Sequence, residues 1–547
     1  MHNSPERSGP PARTLSPPHL PALTPIRVGR FRALLAEHPD KTFIKYVLDG
    51  LDHGFAIGYT AQHHNLTCPN LPSAEQHHAF ITTHLHTCCT NGETAGPFSS
   101  PPFKPFHSSG VGAVPKKSGK LRLIHHLSAP RGTSINDGIS REDFSLKYIS
   151  VDTAIAAILR KGRGAFLSKV DIRNAFRLCP VRQDDWHLLG IHWRGQYYFE
   201  RVLPFGLRSS PFIFNQVADA LEWVLCHEFA IKEIMHYLDD YLNVTGQSKE
   251  HAQRQLQIIL ELFEYLGVPV APEKVEGPAQ VIVFLGIILD TIKLEARLPP
   301  DKLEELRQLI TQFTDARWVP LRELESFLGK LSFAARVVIP GRTFMRRLWD
   351  LLAKFNHGEP HFRVRLPDGC KEDLRWWKVL LTDWNGKAFF LDRQWTTSSS
   401  LGLYTDASGS IGWGAYYASE HRWMYGAWTA EQSNLSITYK ELYAVVIACS
   451  TWGPKWSCRR IQFCCDNEAV VACLASGTSR SPHVMSLLRS LFLICAKHDF
   501  MVTAVHIPGK TNTIADALSR LNLQVFHQLA PTARVLPDQH QPLPMIT

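Results

Sequence analysis

The stretch Met235-His236-Tyr237-Leu238-Asp239-Asp240-Tyr241-Leu242 constrains this chain more than any other. Two adjacent carboxylates interrupt an apolar run, "IMHYLDDYLNV" (234–244), that otherwise reads as two short strands around a tight turn. Asp is a good turn residue, so a plain turn would account for the pair if it stood alone. It does not stand alone. Asp171 lies at the end of another apolar strand, "AFLSKVDI" (165–172), and neighbouring strands could bring it beside Asp239 and Asp240. Three carboxylates that close repel one another, and their pKa values rise unless cations lie between them. Two divalent ions about 3.5–4 Å apart relieve the repulsion and serve in-line phosphoryl displacement at the attacking and leaving oxygens. All-oxygen ligation with phosphate completing the shell suits Mg2+, with Mn2+ as a substitute. The residues by themselves point to nucleotidyl transfer.

Two neighbouring stretches fit that chemistry. "VPKKSGKLRL" puts Lys116, Lys117, Lys120 and Arg122 on a hairpin-like segment with Ser-Gly at its turn. Such a flap can fold over a triphosphate and neutralise its charge, although an isolated segment of this kind reads as a solvated basic hairpin. "RVLPFGLRSSPFIFNQ" carries Phe205, Gly206 and Arg208 into a helix expected over 210–229, with Ser210 and Pro211 at its start. It offers flat apolar surface and backbone amides to a nucleotide or template base.

A second acidic set lies downstream. "LGLYTDASGSIGWGAYY" (401–417) reads as a strand with Asp406, a Gly-rich turn and a second strand. "ITYKELYAVVIAC" (437–449) is helical, with Glu441 in its first turns. "RRIQFCCDNEAVVACL" (459–474) is a strand ending at Asp466 and then a helix. "TAVHIPGKTNTIADALSRL" (503–521) is a strand, a loop and a helix carrying Asp516. Each acid alone could be a cap or a surface charge. Four of them at strand ends and helix starts of one α/β unit could converge on a second two-metal site, where water would cut a phosphodiester.

Length bounds the organisation: 547 residues correspond to three or four domains at roughly 150 residues each. The net charge of +9 is compatible with a polyanionic partner without proving one. Twelve scattered cysteines without a CxxC read as reduced thiols. No secretory h-region and no apolar run of roughly 18 residues is found, so the expectation is a soluble intracellular protein of the cytoplasm or nucleus, without a membrane partner. Residues 28–100 hold many His and Cys ("HHNLTC", "EQHHAF", "HLHTCC") without regular ligand spacing, and read as a solvated helix–loop extension. In "DKLEELRQLITQF" Asp301 is the expected N-cap.

The blocks "KVDIRNAF", "LPFGLRSSPFIFNQ", "YLDD", "LGVPVAPEK" and "FLGIILD", in this order, resemble motifs A to E of reverse transcriptases. The blocks "YTDAS", "KEL", "CDN" and "HIPGKTNTIADALSR" resemble ribonuclease H as found in retroelements. The resemblance implies an α/β (α+β) multidomain chain, a right-hand fingers–palm–thumb polymerase followed by a ribonuclease H-like α/β domain. The expected divisions are a disordered tail (1–27), an N-terminal extension (28–109), fingers and palm (110–298), a helical thumb and connection (299–395), a ribonuclease H domain (396–522) and a disordered tail (523–547). It implies metal-binding and catalytic roles for Asp171, Asp239 and Asp240, and for Asp406, Glu441, Asp466 and Asp516. It also implies a steric gate against the ribose 2′-OH at Phe176, a pyrophosphate-protonating lysine at Lys274, and a loop histidine at His506 aiding product release or proton transfer. The implied partners are an RNA template, a DNA primer, an RNA–DNA hybrid and dNTPs. The block "LIHHLSAPRGTSINDGI" (123–139) resembles the tyrosine-recombinase (DIRS-like) retrotransposons. No recombinase, zinc-bearing integrase or aspartic-protease signature is found in these residues, so recombination would fall to an element-encoded recombinase on another chain or to a truncated part of the same gene. A catalytically silent, domesticated nucleic-acid-binding scaffold is the alternative, and the seven intact acids argue against it.

Overall fold

The alternating apolar residues around Asp171 and Asp239 do form adjacent strands. The computed structural model describes residues 23–115, 119–355, 362–383, 387–389, 398–457, 459–498, 500–540 and 543. The chain divides into two units, residues 1–157 with 165–279, and residues 158–164 with 280–547.

In the first unit a four-stranded sheet runs in the order Glu276–Ala279, Leu167–Asp171, Asp240–Val244, Ile234–Tyr237, with antiparallel neighbours. Its inward residues Val170 and Tyr241 pack against two helices, Ser210–His227 and Lys249–Leu266, through Phe214, Val217, Leu221, Leu256, Ile259 and Phe263. The Tyr241 hydroxyl donates to the Ala218 carbonyl at 3.0 Å, satisfying a buried polar tip. The helix Lys249–Leu266 starts at Ser248, whose side chain accepts from His251 N, and ends at Gly267. Gly267 has φ +76°, and a Cβ there would lie 2.3 Å from the Pro25 carbonyl oxygen, so only glycine fits. A five-stranded sheet lies beyond, ordered Leu66–Thr67, His107–Ser109, Gly190–Trp193, Gln196–Glu200, Thr94–Phe98. The basic flap is a hairpin of Val111–Pro115 and Leu121–His125.

Two expectations for the first unit are corrected. Residues 28–100 are no solvated extension: Phe31, Val47, Leu51, Phe55 and Ile57 are buried in the same core as Val170 and Phe214. The helix Lys41–His53, capped by Asp40, turns Ile44, Val47, Leu48 and Leu51 inward at helical spacing. The disordered tail expected over 1–27 is overturned for 23–27, where Thr24 Oγ1 donates to Leu178 O and Arg27 N to Leu266 O. Residues 1–22 lie outside the described residues.

The second unit holds an antiparallel sheet of Val281–Phe284, Ile287–Asp290, Glu295–Arg297 and Lys387–Phe389, and the helices Pro300–Asp315, Leu321–Ala334, Arg346–Ala353 and Asp368–Asp383. The first of these helices is capped by Pro299, so Asp301 lies inside its first turn rather than at its N-cap. A five-stranded sheet follows in the order Arg422–Ala427, Gly412–Tyr417, Leu403–Ala407, Arg459–Cys465, Phe500–His506. The first three strands are antiparallel and the last two run parallel to Leu403–Ala407. The helices Ile437–Trp452 and Pro482–Lys497 bury Val445, Cys449, Trp452, Leu488 and Leu491 with Leu403, Ile461 and Phe463.

The disordered tail expected over 523–547 is overturned as far as residue 540. The helix Leu523–Leu529 buries Phe526 against Tyr416, Trp423 and Leu518, and Asp538 accepts from Arg422 and from Trp452 Nε1 at 2.9 Å. Pro and Gln richness hid one apolar helical turn that this sheet face was left to cover. Among the described residues no helix is long and apolar enough to cross a membrane.

Candidate active sites

Register brings the first acidic set together. Asp240 begins its strand as the partner of Asp171, which ends the neighbouring one. Tyr237 pairs with Asp240, leaving Leu238 and Asp239 as the two residues of the turn, and Ile172 N donates to Asp239 O at 2.9 Å. Leu238 has φ +55°, a left-handed conformation costly for a branched side chain, and the ladders on both sides hold it. Asp171 is buried, and Asp239 and Asp240 are half-buried. Burial pushes the Asp240 carboxyl up to about 6; Lys169 opposes this, and Asp239 and Asp171 reinforce it. Asp239 is raised by burial and then by Asp171. Lys274 Nζ donates to Asp171 Oδ2 at 2.7 Å. Burial pulls Lys274 down, but the bond to Asp171 and the charges of Asp171, Asp239 and Asp240 outweigh it and raise its pKa. A cation already answers the buried charge here.

A line of side chains runs from the flap into the core. The Arg122 guanidinium lies 5.7 Å from the Phe205 ring centroid. Phe205 is 5.0 Å from Phe176, and Phe176 is 6.0 Å from Phe214 in the core. Arg122 also acts on Asp239, lowering its pKa against the burial. Lys120 is exposed, whereas Lys116 and Lys117 lie outside the described residues. Gly206 has φ +99°, and a Cβ there would stand 2.7 Å from His125 O, so the loop needs glycine to pass the flap strand. Arg208 is held locally: its Nη1 donates to Ile139 O at 2.7 Å. Sequence reasoning missed Asn136, which clamps this loop. Its Oδ1 accepts from Arg208 N at 2.8 Å, and its Nδ2 donates to Gly206 O at 2.9 Å. The "SIND" capping box, Ser134 with Asp137, was the one local signal that this turn is fixed.

The second acidic set also converges. Asp406 lies on the central strand, Glu441 in the first turns of the helix Ile437–Trp452, Asp466 just past the neighbouring strand, and Asp516 on the helix Thr513–Ser519. Burial pushes Asp406 up to about 6; Ser519 lowers it, and Asp466 and Asp516 raise it again. Ser519 Oγ donates a short hydrogen bond to Asp406 Oδ2. Glu441 is pushed up to about 9 by burial, then by Asp406 and Asp466, and its Oε2 is buried without a hydrogen-bond partner. Asp516 is more open and accepts from Arg520 Nε at 2.8 Å. His506 is exposed at the end of the edge strand, in register with Cys465, one residue before Asp466. Gly509, in the loop after His506, passes so close that a Cβ would meet Asp466 Oδ2 at 3.1 Å. Ser519 and Cys465 were missed; nothing local marks a serine 113 positions from its acid as that acid's hydrogen-bond donor.

Residues 114–289 match the family described as "Reverse transcriptase (RNA-dependent DNA polymerase)", a span that includes Asp171, Asp239 and Asp240. Polyprotein P3 of Commelina yellow mottle virus is 24% identical over 421 residues, covering 74% of this chain and 20% of that protein. The Transposon Tf2-3 polyprotein of Schizosaccharomyces pombe is 23% identical over 427 residues, covering 75% of this chain and 28% of that protein. The chain therefore spans a fifth to somewhat over a quarter of these relatives' lengths. Among solved structures, the foamy viral protease-reverse transcriptase dRH in complex with double-stranded DNA superposes with a TM-score of 0.50 at 16% identity, covering 90% of this chain and 84% of that one. The fold is thus a polymerase fold with a further α/β domain, and the chain carries a reverse transcriptase domain with viral and retrotransposon polyproteins as its relatives.

Proposed function

We propose that this protein is an RNA-directed DNA polymerase whose second acidic centre hydrolyses the RNA strand of RNA–DNA hybrids. One observation carries the reading: seven acids far apart along the chain gather at strand and helix ends into two clusters, and four of them (Asp239, Asp240, Asp406 and Glu441) have raised pKa values. Protein interiors do not collect carboxylates in this way unless a cation is due there.

The residues fit divalent ions. Glu441 Oε2 is an orphaned buried acceptor, and at Asp171 a lysine ammonium already supplies positive charge. Asp171, Asp239 and Asp240 would hold metal in the first centre, and Asp406, Glu441, Asp466 and Asp516 in the second. Bound Mg2+, or Mn2+ in its place, supplies Lewis-acid activation of the attacking oxygen and charge neutralisation at the phosphoryl group.

This chain's own groups do the rest. Arg122 and Lys120, with Lys116 and Lys117 adjacent in sequence, pair with the triphosphate of a dNTP. Phe176, packed against Phe205 and Phe214, excludes a ribose 2′-OH. Phe205 and Gly206 present an apolar face and open backbone to the template base. Lys274 holds a proton at Nζ that can pass to departing pyrophosphate. His506 offers an exposed imidazole for proton transfer or product release. The partners are an RNA template, a DNA primer and their hybrid, bound largely through phosphates and weakened by salt. The block at 123–139 supports the tyrosine-recombinase group.

Primer extension on poly-rA and cleavage of a labelled hybrid, both with Mg2+, test the reading. Asp240→Asn should abolish extension and leave cleavage, and Asp466→Asn should do the reverse. Loss of both activities in either folded variant would refute two independent centres.

A further inference from the structure

The second centre contains a ligand atom that an all-oxygen site does not need. One ligand atom each from Glu441, Cys465 and Asp466 lies within 4.8 Å of the other two. Cys465 ends the strand Arg459–Cys465 and is wholly buried. Its sulfur is fixed there: Asn467 N donates to Sγ at 3.5 Å, and the thiol faces Asn467 O at 3.9 Å. Asn467 itself caps the following helix, Glu468–Ser476, through its side chain, so this turn is held from both sides. Glu441 brings an independent sign of a missing ligand, since its residue is 5% exposed and its Oε2 has no partner.

We propose that Cys465 makes this cluster a mixed sulfur–oxygen site that takes a thiophilic divalent ion of the Zn2+ or Cd2+ class, in competition with the hard ion of hydrolysis. The inference rests on the reading of Glu441 and Asp466 as metal-binding acids. Sulfur is a soft ligand, and affinity at such a donor set rises steeply from Mn2+ to Zn2+. Two carboxylates and one thiolate match the three protein ligands of an open tetrahedral zinc site, and the thiol proton leaves to solvent on binding. A thiophilic ion seated there occupies the oxygens that the hydrolytic ion needs, so it acts as a brake on the second centre.

The test uses the full chain and follows bound Mn2+ by paramagnetic resonance during titration with Cd2+. The Mn2+ lost in Asp466→Asn defines the second centre's share. Cd2+ should displace that share from the wild type and raise an ultraviolet thiolate-to-cadmium band. Cys465→Ser and Cys465→Ala should weaken the displacement by at least about tenfold, since loss of even an outer-shell partner costs that much. Equal displacement in wild type and both variants overturns the role of sulfur and leaves the acidic site standing. No Mn2+ share lost in Asp466→Asn overturns the acidic site itself. X-ray absorption of the Zn2+-loaded wild type is independent of how the variants fold. A zinc–sulfur distance of about 2.3 Å is expected, and a shell of nitrogen and oxygen alone overturns the proposal.

Discussion

Neutralising Asp406 should stabilise the metal-free protein, and it should do so only at high pH. The carboxyl is 6% exposed, and burial pushes it up to about 6 from an ordinary 3.8. Below about pH 4 it is protonated in both the folded and the unfolded chain and costs nothing. Between about 4 and 6 the folded chain keeps a proton that the unfolded chain has lost, so stability falls as pH rises. Above 6 the group is ionised in both states and the full penalty applies. A rise of roughly two pKa units corresponds to about 3 kcal/mol, as an order of magnitude. Asp406→Asn removes that penalty, and its amide oxygen can still accept from Ser519. It also removes one of the charges that raise Glu441, which acts in the same direction. Thermal unfolding in EDTA should place the variant several degrees above wild type at pH 8, with the gap closing towards pH 4. Adding Mg2+ at pH 8 should raise the wild type more than the variant, because the ion offsets a repulsion that only the wild type carries. A gap that does not change with pH, or a variant less stable at pH 8, would refute the claim that these carboxylates are held together against their own charge.

Other perturbations follow from particular contacts. Asn136→Ala leaves Arg208 N and Gly206 O without their partner and should cost about 1–3 kcal/mol in denaturant unfolding. It should also raise KM for dNTP in primer extension, and unchanged kinetics would show that the loop does not touch substrate. Phe176→Val should raise ribonucleotide incorporation, and unchanged dNTP-over-rNTP selectivity would reject the gate. Phe526→Ala removes a ring 4.8 Å from Trp423 and 5.6 Å from Tyr416 and should destabilise by about 3–5 kcal/mol. A change below about 1 kcal/mol would return the segment after 522 to a loose tail.

Much of both candidate sites was legible because their acids sit where period-two apolar runs stop. Asp171 and Asp406 lie at or next to the last residue of an apolar strand, Asp239 and Asp466 just past one, and the chemistry of clustered carboxylates supplies the rest. What escaped depends on contacts that local patterns do not encode. Residues 28–100 mix His, Cys and short helices, and only tertiary packing shows that Phe31 and Val47 belong to the same core as Val170. Residues after 522 look like a Pro- and Gln-rich tail, yet Phe526 and Asp538 close the outer face of the second sheet. Asn136, Cys465 and Ser519 lie inside blocks that were read for other residues, and the groups that give them a role, the Gly206 and Arg208 backbone, Glu441 and Asp406, are brought to them only by the fold.

The most direct measurement is anomalous scattering from Mn2+ in crystals of the full chain. Peaks should appear between Asp171 and the Asp239–Asp240 turn, and again among Asp406, Glu441, Asp466 and Asp516. A crystal saturated with Mn2+ that shows no peak at either cluster would contradict the account.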